Sequence, residues 1–141
     1  MASDIENRLA NRLRDDPSLG VVFAYLFGSE AEGRSHRESD VDVGVLLERS
    51  RFPTSTLRFE QRLLMLSRLS AGLDGRALDL VVMNDAPPLL ARHIVTRGRR
   101  IFCADPEADH AFVRDAQLRA ADLEPFLRRM RHIKLERVSR P

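Results

Sequence analysis

Leu26-Phe27-Gly28-Ser29, then ten residues, then Asp40-Val41-Asp42 is the stretch whose reading decides the fold of this 141-residue chain. Ahead of Gly28 stands Val21-Val22-Phe23-Ala24-Tyr25-Leu26-Phe27, a short run of β-branched and aromatic residues that stops at a glycine and reads as a buried strand. Val41 to Leu47 reads as a second strand. Side chains two apart on an extended segment point the same way, so the carboxylates of Asp40 and Asp42 converge while Val41 turns to the core. Two carboxylates that close repel and rise in pKa unless a cation lies between them. Magnesium suits the place, because it takes oxygen ligands and is commonly held by one or two carboxylates together with substrate phosphates. Gly28 lets backbone amides approach a phosphate, and the Ser29 hydroxyl can donate one more hydrogen bond.

Working outward, Ser3 and Glu6 form a capping-box pattern ahead of Ile5, Leu9 and Leu13, which predicts a first helix to about Asp15. Thr56 to Leu69 is a helix by its leucine spacing, and it leads to a third strand, Ala77 to Met83. Asp79 interrupts that apolar strand, where an isolated carboxylate is costly to bury. If the third strand pairs beside the second, Asp79 reaches the same metals and can take a proton from an acceptor hydroxyl. Pro87 and Pro88 open a further helix that ends at Gly98, a brief strand follows at Arg100 to Cys103, and the chain is helical from Glu107. Pro125 is expected to break or restart that last helix, and Phe126, Met130 and Ile133 are expected to pack on the core. The whole predicts an α/β protein, one domain over residues 1–141, with a small mixed sheet flanked by helices and a basic helical segment over about 107–141.

Each piece has an ordinary explanation. Gly-Ser and Asp-x-Asp alone are more often turn chemistry, and Asp79 could form a structural ion pair with Arg76 or another arginine. The combination is different, because glycine and serine follow one strand, two acids open the next, and a third acid sits inside a later one. Composition decides less. Hydrophobic residues at 43% and charged residues at 31% suit a folded globular chain. The net charge of +2 is nearly balanced, and the basic residues are arginines except for Lys134. That gives no argument for nucleic acid, and no direct nucleic-acid binding is expected. Cys103 cannot pair internally and reads as a buried, inert thiol in a reducing, cytoplasmic setting. No segment reads as a signal peptide or a membrane span. His36, His93, His110 and His132 lack zinc-ligand spacing. Tyr25 reads as core, and Arg34 and Arg37 could reach a phosphate from the loop.

Gly-Ser, ten residues and Asp-x-Asp, with a third acid on a later strand, resembles the signature of the nucleotidyltransferase superfamily with the DNA polymerase β fold. The short chain, with Asn84 to Leu90 and Arg97 to Phe102, resembles its minimal nucleotidyltransferases, antitoxins paired with HEPN-domain ribonuclease toxins. The resemblance implies transfer of AMP from ATP to a tyrosine of the toxin. It assigns Gly28 and Ser29 to the triphosphate, Asp40, Asp42 and Asp79 to magnesium, two ions in all, and Asp79 also to acceptor activation. The partners it implies are a nucleoside triphosphate and a HEPN toxin, with no membrane. Nucleotidyl transfer to a small molecule such as an antibiotic, and noncatalytic neutralisation by binding, are the alternatives. Many relatives carry arginines shortly after Gly-Ser, whereas this chain has Glu30 and Glu32. If a helix begins there, those glutamates compete with a phosphate for its N-terminus.

Overall fold

The fold is read from a computed structural model, which describes residues 3–34 and 39–139, with side chains as far as Arg131. Helix α1 (Asp4–Asp15) starts at Ser3, whose hydroxyl accepts the Glu6 N–H at 3.1 Å. It is followed by β1 (Val21–Phe27), β2 (Val41–Leu47), α2 (Ser55–Leu69), β3 (Leu78–Val82), α3 (Pro88–Arg97), β4 (Arg99–Cys103) and α4 (Pro106–Ser139). The four strands form one sheet in the order β3-β2-β1-β4. β1 runs antiparallel to β2 and β4, and β2 runs parallel to β3. A parallel pair needs a crossover, and α2 supplies it.

The expected mixed sheet flanked by helices is therefore present, and alternation along the strands sorts its two faces. Val43, Val45, Leu26 and Leu80 meet Leu9 and Leu13 of α1 and Met65 and Leu69 of α2 in one buried cluster. On the other side Phe23 and Tyr25 pack with Met83, with Ala91 and Ile94 of α3, and with Ala116 of α4. Phe23 lies edge-on to both Tyr25 and Phe112, with ring centroids 5.4 and 5.2 Å apart. Gly44 lets this second layer close, because a Cβ there would stand 2.8 Å from Met83 Sδ and 3.2 Å from Ile94 Cγ2.

Three expectations are corrected. Helix α4 runs unbroken through Pro125. A proline inside a helix removes one N–H and crowds the carbonyl four residues back. Here that carbonyl belongs to Ala121, and both residues are exposed, so water can serve it. Phe126 and Met130 do not pack on the core but are 51% and 50% exposed. A helix of 34 residues is about 50 Å long, while seven-residue strands reach about 23 Å, so α4 outruns the sheet. Its core contacts come earlier, from Phe112, Ala116 and Ala120. Cys103 is partly exposed on β4. The side chains of His132, Ile133, Lys134 and Arg137, together with Arg140, lie outside the described residues. Among the described residues no helix is long and apolar enough to cross a membrane.

Asp109, buried at the start of α4, joins three elements. Its carboxylate accepts the Tyr25 hydroxyl of β1 at 2.9 Å and Arg100 Nη1 of β4 at 2.6 Å. Burial, followed by the adjacent carboxylate, holds the Tyr25 phenol protonated well above its ordinary range. Asp109→Ala leaves two donors without their charged acceptor, and should lower the unfolding free energy by about 2 kcal/mol in urea denaturation.

Candidate active site

The sheet brings the sequence-predicted residues to one end of its strands. Asp42 lies on β2 opposite Phe27 of β1 and opposite Asp79 of β3. Asp40 precedes β2, and Gly28 and Ser29 follow β1 directly. Val41 is fully buried, as its place between two acids requires, whereas Asp40 and Asp79 are exposed and Asp42 is half-buried. The parallel register of β2 and β3 makes the third acid part of the site, since its strand could have paired elsewhere.

Gly28 is required twice over. Its φ of 71° is left-handed, and a Cβ there would stand 2.3 Å from Asp42 Oδ2. The chain then turns tightly, with Glu32 N–H donating to the Gly28 carbonyl at 3.1 Å and Arg34 N–H to the Ser29 carbonyl at 2.9 Å. Residues 28–33 form turns, and no helix begins there, so the expected conflict between glutamates and a phosphate at a helix N-terminus does not arise. Both glutamates have cationic partners. Glu30 is buried against Arg76 at 2.9 Å. Glu32 pairs with Arg34 and with Arg97 of α3, and those two arginines, Arg34 first, hold its carboxyl below the ordinary range. Arg34 is thus engaged by Glu32, and Arg37 and His36 lie outside the described residues. Arg99 of β4 also donates to the Ala31 carbonyl at 3.1 Å. The clasp of Arg76, Arg97 and Arg99 on this turn is the part of the site that spacing does not reveal, since charge pairs across distant elements leave no periodic signal.

The acids stand apart from this neutralisation. Among the described residues no lysine or arginine forms an ion pair with Asp40, Asp42 or Asp79. Arg76, the structural partner weighed for Asp79, is taken by Glu30 and by the Ser39 carbonyl. Burial first, then the charges of Asp79 and Asp40, then a hydrogen bond with Asp79, push Asp42 up to about 6. Among the described residues no group of three histidine, cysteine, aspartate or glutamate side chains is arranged to hold a metal ion by itself. The hollows of about 450 Å³ between α3 and α4 and about 580 Å³ beside β3 are lined by none of the three acids.

A mixed sheet with a glycine-serine turn at one strand end and three acids on or just before two neighbouring strands is the frame of a phosphate-handling enzyme class. Residues 7–107 match the family described as polymerase beta nucleotidyltransferase, and the chain belongs to that family. It is 35% identical over 98 residues to the protein adenylyltransferase MntA of Shewanella oneidensis, covering 69% of this chain and 64% of that relative. Its fold is similar to that in a crystal structure of a toxin–antitoxin with AMP-PNP, with TM-score 0.62, 26% identity, and 96% of this chain and 98% of the other covered. A further likeness, of fold alone at 24% identity, is to a structure of a tri-AMPylated Shewanella oneidensis HEPN toxin in complex with MNT antitoxin. There the TM-score is 0.62, and 99% of this chain and 100% of the other are covered.

The raised Asp42 gives a signed pH dependence. Its carboxyl titrates near 6 when folded and near 3.8 when unfolded, so the folded state holds the extra proton between those values and loses that advantage as pH rises through them. Above the window the repulsion is present in full. Asp42→Asn should therefore stabilise the metal-free protein at pH 7.5, by about 1 kcal/mol once solvent screening of this half-exposed site is allowed for. The gain should vanish below pH 4, as thermal unfolding at the two pH values would report.

Proposed function

We propose that this chain is an antitoxin adenylyltransferase that moves AMP from ATP to a tyrosine of a HEPN-domain ribonuclease toxin, and that one domain, with α4 as its C-terminal helix, carries the whole apparatus. The observation that supports it is the in-register pair of Asp42 and Asp79 beside Gly28, where a Cβ would strike Asp42, with no cationic side chain among the described residues paired to Asp40, Asp42 or Asp79. Its nearness in sequence to an adenylyltransferase, and in fold to an antitoxin crystallised with its toxin and AMP-PNP, supports the choice of donor and acceptor.

In this reading the backbone after Gly28 and the Ser29 hydroxyl hold the outer phosphates, and Asp40, Asp42 and Asp79 would hold magnesium, two ions in all. When bound, magnesium would supply charge stabilisation to the attacking and leaving oxygens. Asp79, exposed at the start of β3, accepts the phenolic proton as the tyrosine oxygen bonds to the α-phosphorus. The bond from that phosphorus to the bridging oxygen breaks, and pyrophosphate leaves. Asp40 and Asp79 are exposed, and a protein acceptor brings its own walls to them.

Incubation with ATP, magnesium and a HEPN-domain toxin, the product of the neighbouring gene if that gene encodes one, should add mass to the toxin in steps of one AMP, read by intact mass spectrometry. Asp40→Ala/Asp42→Ala should abolish the gain. Neutralisation of the toxin by that variant, without modification, would favour the binding-only reading. Modification of a small molecule and not of the toxin would favour the other.

A further inference from the structure

Asp40 and Asp79 stand at or before the starts of two strands, and the phosphate-binding turn hangs from the end of a third. The gap between turn and acids is therefore not fixed by ladder hydrogen bonds alone. Arg76 reaches all three places. It lies three residues before Asp79 and donates Nη2 to Glu30 Oε2 at 2.9 Å and Nε to the Ser39 carbonyl at 2.8 Å. Glu30 follows Ser29 in the turn, and Ser39 precedes Asp40. The two charged side chains are only 8% and 6% exposed. Arg76 is itself held, because its N–H donates to the Leu73 carbonyl at 3.0 Å and the next carbonyl, of Ala77, accepts the Val41 N–H at 2.8 Å. The turn that delivers it uses left-handed backbone at Asp74 and Gly75, with φ of 54° and 81°.

A buried ion pair contributes little net stability compared with an apolar pair of the same volume, so stability alone does not account for it. What a guanidinium adds is direction, since its planar fork fixes two acceptors in one geometry. We propose that the Arg76–Glu30 pair is a positioning device that sets the gap between the phosphate-binding turn and the three acids, so that nucleotide and magnesium bind cooperatively. Neither residue touches the reacting atoms, and Arg76 acts through Glu30 and Ser39. The proposal rests on the nucleotidyl-transfer reading.

A triphosphate that spans turn and acids makes magnesium tighten nucleotide binding and nucleotide tighten magnesium binding by one common factor. That factor depends on the gap. Calorimetric titration of a non-hydrolysable ATP analogue, with and without magnesium, measures it for the wild type, Arg76→Gln, Arg76→Lys and Glu30→Gln, each at a temperature where circular dichroism shows it folded. Arg76→Lys keeps the charge and loses the fork, and Glu30→Gln keeps an acceptor and loses the charge, so the test stands even if Arg76→Gln does not fold. The factor should fall about tenfold in the folded variants, the scale of one charged hydrogen bond. Asp109→Asn, remote from the turn, should lower the melting temperature and leave the factor unchanged. An unchanged factor in folded Arg76→Lys and Glu30→Gln overturns the positioning role alone. A wild type whose nucleotide affinity does not respond to magnesium overturns both this role and the proposed function.

Discussion

Two carboxylates held in register on neighbouring parallel strands set the terms for this structure. Asp42 and Asp79 face each other across β2 and β3 with Asp40 close by, and burial of Asp42 makes that crowding costly. A chain with 23 lysines and arginines could have relieved it cheaply. Instead, arginines cover Glu30, Glu32, Asp85 and Asp109 and leave the three acids alone among the described residues. Uncompensated charge thus stands beside neutralised charge, and the proposed magnesium site rests on that contrast.

The surrounding packing holds the acids in that relation. Val41 and Val43 point away from Asp42 into the layer beneath α1 and α2, which fixes the face on which the acid emerges. Gly44, two residues on, lets Met83 and Ile94 close the opposite layer. The Gly28 turn carries no Cβ into Asp42, and the arginines clasp it from both sides. The site's geometry thus comes from strands and from side-chain ties to strands, which is more exact than a free loop can offer.

Much of this was legible in the sequence. A continuous run of β-branched and aromatic residues ending at Gly28 marks β1 at Val21 to Phe27, Val41 to Leu47 reads as β2, and two-residue spacing puts Asp40 and Asp42 on one side. The pairing of β3 beside β2 was only conditional there, because strand order depends on the crossover and not on any local pattern. The clasp on Glu30 and Glu32 stayed hidden for the same reason, as Arg76 and Arg97 come from elements 46 and 65 residues away. Pro125 and the Phe126–Met130 face were misjudged because their fate depends on how far α4 extends past the sheet, which no helical period records. The roles assigned to Gly28, Ser29, Asp40, Asp42 and Asp79 stay proposals of chemistry on an observed geometry.

Crystals grown with manganese and a non-hydrolysable ATP analogue, with diffraction collected at the manganese edge, address the central claim directly. The account predicts an anomalous peak within coordination distance of the Asp40 and Asp42 carboxylates, with the phosphates of the analogue between it and the turn at Gly28 and Ser29. Manganese and nucleotide bound together at another surface, with the three carboxylates free of both, would contradict it.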